Sequence, residues 1–229
     1  MMLSLYRFVS AAGVPLIRLF LGVRKAQGKE DPARFNERLG RPGIARPEGP
    51  LIWAHAASVG ESLSLLPLVE RLVIDKPSLN ILVTTGTLTS SRLMAERLPD
   101  GAVHQFVPVA RVSYVRRFLD HWHPDLALWV ESEFWPNLII ETAGRNIPMI
   151  LINGRISPRS FLGWQRFGGL IKKLLSCFAL CLAQADADAE RLLRLGAVSA
   201  KYVGNLKFSA PPLPADADEL SNLQDAVGD

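Results

Sequence analysis

The sequence predicts a doubly wound parallel α/β sheet, and three observations carry that prediction. Short apolar runs recur along the chain, helical patterns of crossover length separate them, and the chemically unusual residues collect just after the runs. Strand candidates lie at 51–55, 81–85, 103–109, 126–131, 148–153, 179–184 and 201–204, and helical periodicities at 61–74, 90–98, 111–121, 137–145, 167–177 and 186–195. Sheets of this kind bind ligands outside the carboxyl ends of their strands, so the residues there are the first candidates for function.

The chain has 229 residues, 48% of them hydrophobic and 21% charged, which suits a folded domain and excludes a disordered or collagen-like one. Two cysteines, Cys177 and Cys181, argue against a disulfide framework and make a reducing cytoplasm the expected compartment. His55, His104, His121 and His123 lack metal-ligand spacing. The net charge of +4 is uneven: residues 1–46 hold nine basic and three acidic groups, the remainder 17 and 19. The basic segment points to an anionic surface rather than to nucleic acid along the whole domain.

Residues 3–23 form the first element, a mostly apolar helix of about the length a 30 Å hydrocarbon core demands. Ser4, Arg7, Ala11, Arg18, Gly22 and Lys25 fall on one narrow stripe of it, which favours a helix lying in the membrane interface over one that spans. A surface helix docked on its own domain is the alternative. A Pro/Gly-rich stretch, 41–50, leads to the strand Leu51–His55 and its loop, where Gly60 is expected to let the backbone turn sharply. Glu61 then opens a helix, where the macrodipole favours the ionised carboxylate and leaves it available as a base. A plain preference of Glu for a first helical turn would place it there as well.

The fourth strand ends in Glu131-Ser132-Glu133, two carboxylates that need pairing if buried. Arg155 follows the fifth strand in Asn153-Gly154-Arg155-Ile156-Ser157, and Lys207 follows the last in Gly204-Asn205-Leu206-Lys207-Phe208. A lysine there suits a phosphate or carboxylate. Residues 211–229, beginning Pro211-Pro212-Leu213-Pro214, read as a linker.

Five segments in order resemble the bacterial 3-deoxy-D-manno-octulosonic acid (Kdo) transferases: Glu37-Arg38-Leu39-Gly40, His55-Ala56-Ala57-Ser58-Val59-Gly60-Glu61, Glu131 to Asn137, Asn153 to Ser157 and Gly204 to Phe208. The chain departs from the family pattern at Thr87-Leu88-Thr89-Ser90, Gly154 and Ser209. The resemblance implies the Rossmann-like N-terminal domain of a GT-B glycosyltransferase: a membrane-associating segment at 1–30, an acceptor domain at 31–210, and a linker at 211–229 into a donor domain. It implies transfer of Kdo from CMP-Kdo to a lipid A precursor at the cytoplasmic face of the inner membrane, inverting, with no metal or other cofactor and no nucleic-acid partner. Carried over to this chain, the catalytic positions are Glu61, Glu131 and Lys207. Ser58, Gly60, Arg155 and Asn205, in the same motifs, are the expected substrate-binding residues. The reading from another class is a membrane-associated domain that holds anionic lipid without catalysis.

Overall fold

The computed structural model describes residues 2–209 and 225–226. Seven parallel strands form one sheet in the order β3-β2-β1-β4-β5-β6-β7. They are β1 (Leu51–His55), β2 (Asn80–Thr85), β3 (Ala102–Phe106), β4 (Leu126–Val130), β5 (Met149–Gly154), β6 (Leu180–Ala183) and β7 (Ala200–Tyr202). The helices between them are α4 (Val59–Asp75), α5 (Leu88–Arg97), α6 (Val112–Trp122), α7 (Pro136–Ala143), α8 (Pro158–Gln165), α9 (Gly168–Leu175) and α10 (Asp186–Leu195), and a 3₁₀ turn, η1 (Leu206–Ser209), follows β7. The predicted α/β class is therefore present. The third strand ends sooner than expected, the chain running on through Pro108 to α6, and α8 was not foreseen because only its Phe161 is buried.

Strand order follows from the crossovers. From β1 the chain steps outward to β2 and β3 through α4 and α5, returns through α6 to pair β4 against β1, and continues the other way. Each reversal puts helices on the opposite face if every crossover keeps one hand. Accordingly, Leu65, Leu66 and Val69 of α4 and Met94 of α5 pack with Ala54, Val83, Leu128 and Val130 on one face. Phe118, Leu138, Leu174 and Leu192 of α6, α7, α9 and α10 pack with Trp53, Trp129 and Leu151 on the other. With both faces covered, the strands read as nearly continuous apolar runs. The sheet switches direction between β1 and β4, and the crevice at their carboxyl ends is where this architecture binds ligands.

The N-terminal segment differs from the single helix expected at 3–23. It is broken into α1 (Met2–Ala12) and α2 (Val14–Ala26), with Gly13 between them and Pro15 in the first turn of α2. Proline supplies no N–H and its ring clashes with the preceding turn, so it starts a helix more readily than it continues one. Among the described residues no single helix is long and apolar enough to cross a membrane; Met2–Ser10 and Pro15–Ala26 reach that length only as a pair bent by 57°.

This segment docks through polar groups. Arg7 donates to buried Glu141 of α7 at 2.5 Å, and Asn137 of α7 donates to Ser10 Oγ at 3.1 Å. In α2, Arg24 donates to Glu30 at 2.6 Å. Phe8, Val9, Leu16, Leu19, Phe20 and Val23 are left 47–72% exposed.

The motif Glu37-Arg38-Leu39-Gly40 closes this end. Short α3 (Phe35–Arg38) buries Glu37, which accepts from Phe106 N at 2.7 Å, and Arg38, which bonds Glu30 and the Val107 and Gly86 carbonyls. Gly40 has φ +72, and a Cβ there would lie 2.0 Å from the Tyr114 carbonyl oxygen, so only glycine fits. The expected linker at 211–229 lies outside the described residues, apart from 225–226.

Candidate functional site

The site is built on the loop from β1 into α4. Ser58 caps α4 in an extended conformation, its Oγ accepting from Glu61 N at 3.3 Å. In return Ser58 Oγ donates to Glu61 Oε1 at 2.9 Å, and Ala57 N donates to Oε2 at 2.7 Å. This is a reciprocal cap of the Ser-x-x-Glu kind, with Glu61 at the third helical position. Each carboxylate oxygen keeps a lone pair beyond the bond it accepts, so a substrate hydroxyl can still be received.

Glu61 is 6% exposed. Burial raises its pKa above the ordinary glutamate value, the bonds from Ala57 and Ser58 pull it partly back, and the charges of Glu131 and Glu133 push it up again. The macrodipole expected to dominate from sequence is outweighed by burial, and the result is a carboxylate with greater proton affinity than a free one. Gly60 does not make the expected turn. It lies within the first turn of α4 without a positive φ, is exposed, and a Cβ on it would meet nothing within 4 Å. The change of direction is made at Ser58, and what Gly60 contributes is bare backbone at the helix end.

Across the switch point, Glu131 follows β4 with φ +56. A non-glycine residue held there costs about 1–3 kcal/mol, a strain found most often at functional sites. Its N–H donates to Ile152 O at 3.0 Å, which fixes it against β5, and its Oε1 lies 3.3 Å from Lys207 Nζ. The structure thus brings Glu131 and Lys207 together, with 21% and 46% of their side chains exposed. Asn205 shapes the loop that carries Lys207: its Oδ1 accepts from Lys207 N at 3.0 Å and its Nδ2 donates to Gln184 Oε1 at 3.4 Å. Asn153, with φ +54, accepts from Leu206 N at 3.0 Å through Oδ1 and ties the same loop to β5. Arg155 is exposed, and its link to the cluster is through its carbonyl, which accepts from Ser132 Oγ.

Asn153 and Asn205 line a cavity of about 410 Å³, and a separate one of about 590 Å³ opens between α2, the carboxyl ends of β1 and β2, and the loops into α6 and α7. Ala57 and Ser58, which hold the Glu61 carboxylate, line it together with His55 and Glu133, while Phe20 and Trp135 supply apolar wall. A third cavity of about 450 Å³ between α2 and α6 is lined by Lys25, Arg41, Arg111 and Arg117 and by no carboxylate. Among the described residues no group of three or more His, Cys, Asp or Glu side chains is placed to hold a metal ion.

Sequence reasoning missed two features here. The Ser58–Glu61 spacing is itself the signature of the reciprocal cap. His55, set aside for want of metal spacing, lies on the cavity wall.

Comparison with known proteins bears on this site. The family profile described as 3-Deoxy-D-manno-octulosonic-acid transferase (kdotransferase) matches residues 33–210. A 3-deoxy-D-manno-octulosonic acid transferase of Rickettsia bellii is 34% identical over 224 residues, covering 98% of this chain and 53% of the relative. A probable mitochondrial 3-deoxy-D-manno-octulosonic acid transferase of Arabidopsis thaliana is 37% identical over 225 residues, covering 96% and 50%. The chain spans about half the length of these curated relatives. Among solved structures, a putative UDP-N-acetylglucosamine 2-epimerase from Listeria monocytogenes is similar with a TM-score of 0.56 over 78% of this chain and 52% of that one, at 11% identity, a likeness of fold alone.

Proposed function

The chain belongs to the 3-deoxy-D-manno-octulosonic acid transferase family, and on that premise we propose that it is the acceptor-binding half of a glycosyltransferase moving Kdo from CMP-Kdo to a lipid A precursor. The observation that carries this reading is the buried Glu61 carboxylate at the sheet's switch point, held by Ala57 and Ser58, two residues that line a large, partly apolar cavity.

In the proposed reaction an acceptor sugar hydroxyl gives its proton to Glu61 as its oxygen bonds the anomeric carbon of Kdo. The bond from that carbon to the CMP phosphate breaks, its electron pair leaving with the phosphate, and the configuration inverts in one displacement. Lys207 offsets negative charge on the donor carboxylate or departing phosphate. The 3.3 Å contact with Glu131 supports the role of Glu131 in orienting that ammonium. Ser58 positions the base, Gly60 offers bare backbone beside it, Asn205 fixes the lysine loop, and Arg155 is an exposed cation for an anionic substrate group.

The acceptor is amphiphilic, and the exposed apolar face of α1 and α2 supports a protein seated in the interface of the inner membrane on its cytoplasmic side. The basic cavity at Lys25, Arg41, Arg111 and Arg117 supports attraction to anionic headgroups there. The same cavity favours the second reading, an anionic-lipid-binding domain without catalysis. Incubating the intact protein with CMP-Kdo and the lipid acceptor, followed by mass spectrometry, separates them. A lipid heavier by one or more Kdo residues is expected; bound but unaltered lipid would leave the binding reading.

A further inference from the structure

The large cavity has an apolar side that the reaction just described does not use. On α2, Ile17 and Leu21, one turn apart, line it, while Leu16, Leu19 and Val23 lie on the exposed side of the helix. Phe20 belongs to both sides: it lines the cavity and is 61% exposed. Trp135, 44% exposed, is also on the lining. Apolar surface therefore continues from the outer side of α2, over Phe20, into the cavity.

The segment from Val107 to Ala110, which follows β3, lines the same cavity and has little to offer a sugar. The N–H groups of Val107 and Val109 donate to the carbonyls of Thr85 and Arg38, both at 2.9 Å, and Pro108 has none. The Val107 carbonyl accepts from Arg38 Nη1, the Val109 carbonyl from Arg111 N and the Ala110 carbonyl from Asn137 Nδ2. Leu138 of α7 lines the cavity as well, and the guanidiniums of Arg24 and Arg38 on the lining are bonded to Glu30. Sugar hydroxyls set against such a wall would find no free N–H on residues 107–109 and only carbonyls already engaged, so their bonds to water would be lost without replacement. Methylenes have no such bonds to lose and gain from leaving water.

We propose that this apolar side of the cavity holds one acyl chain of the acceptor, drawn from the bilayer past Phe20. Ala57 and Ser58, which hold the Glu61 carboxylate, line the same cavity, so a chain seated there fixes the lipid close to the base. A volume of about 590 Å³ is in the range of sites that enclose a small ligand. This inference rests on the reading of the protein as a transferase with a lipid acceptor.

The test uses the intact protein and phosphorylated glucosamine disaccharides carrying a single acyl chain, each kept below its critical micelle concentration. Affinity measured by calorimetry should rise about 2- to 4-fold per methylene between about four and about ten carbons, the worth of burying a methylene. Ala110→Phe and Val109→Trp, which fill the cavity, should bind the shortest and longest chains alike, whereas structural damage would weaken both and leave their ratio as in wild type. Photolabelling of the wild type, which needs no variant, should place a diazirine at the chain end on Val109, Ala110 or Leu138. Labelling of Leu16, Leu19 or Val23 instead, or a wild-type chain-length ratio in both variants, overturns the proposal and puts the chain on the outer side of α2. If the acyl-free disaccharide still shifts the NMR amide signals of Ser58 and Glu61, only this inference falls. If neither it nor the acylated forms shift them, the acceptor reading falls and takes the inference with it.

Discussion

Ser58→Ala separates the role of Ser58 as a helix cap from its role at the Glu61 carboxylate. It removes the acceptor for Glu61 N at 3.3 Å and the donor to Glu61 Oε1 at 2.9 Å. Loss of an N-cap costs about 1 kcal/mol. Loss of a bond to an ionised group adds about 1.5 kcal/mol, the low end of its range because Ser58 is exposed to water. Ser157→Ala is the control: Ser157 caps α8, accepting from Ser160 N at 3.1 Å, and touches no carboxylate.

Since about 1 kcal/mol shifts Tm by roughly 2–4 °C in a domain of this size, the control should lose roughly 2–4 °C and Ser58→Ala roughly 5–10 °C near neutral pH. The folded pKa of Glu61 is already raised, so its contribution to stability is full at acid pH and is lost as pH rises through that pKa. Removing the Ser58 bond, which favours the charged form, raises the pKa further and steepens that loss. Denaturant unfolding at about pH 4, below the ordinary Glu value of about 4.3, should therefore shrink the difference between the two variants. An equal cost for Ser58→Ala at acid and neutral pH would refute the bond to the ionised carboxylate.

Other expectations follow from the same geometry. Lys207→Ala should leave Tm nearly unchanged, because its partly exposed pair with Glu131 is worth about 0–1 kcal/mol, yet depress Kdo transfer strongly, with Lys207→Arg only a partial rescue; wild-type turnover in both would make Lys207 a surface lysine. Arg38→Met leaves the buried Glu30 carboxylate with Arg24 as its remaining ion-pair partner; burial raises the pKa of Glu30 but the bonds from Arg38 and Arg24 lower it overall, and the substitution should cost about 1.5–3 kcal/mol, the worth of a hydrogen bond to a charged group, by urea unfolding at neutral pH. Because a lowered folded pKa gives stability that is lost as pH falls through it, the gap to wild type should narrow in acid, and a gap that widens in acid would contradict the pairing. Replacing Phe8, Leu16, Leu19 and Phe20 with serine should weaken co-sedimentation with anionic liposomes while Tm holds; unchanged sedimentation, or equal sedimentation after deletion of residues 1–49, would remove the membrane role.

The sheet and its site were legible to different depths. The β1 limits at Leu51 and His55 could be read directly, because a strand buried on both faces is an uninterrupted apolar run. The meeting of Glu131 and Lys207 could be anticipated, because each follows a strand and parallel strands end at one edge. The break at Gly13 was missed although Pro15 announced it, since apolar length over 3–23 was weighed above backbone chemistry. Burial of Arg38 was not legible, because its partners, Glu30 and the Gly86 and Val107 carbonyls, meet it only once α3 is laid across the sheet edge. The raised pKa of Glu61 was hidden for the same reason: the helix end is local, whereas the burial and the neighbouring carboxylates that outweigh it come from the fold.

The most direct test of the central claim is single-turnover Kdo transfer by Glu61→Gln in the intact protein, with CMP-Kdo and a lipid A precursor both saturating. Glutamine keeps the volume and can accept one of the two bonds from Ala57 N and Ser58 Oγ, but it cannot take the acceptor proton. Loss of a general base should slow transfer by about 10²- to 10⁴-fold while lipid binding and the unfolding midpoint stay near wild type. Transfer at the wild-type rate by the folded variant would contradict the account.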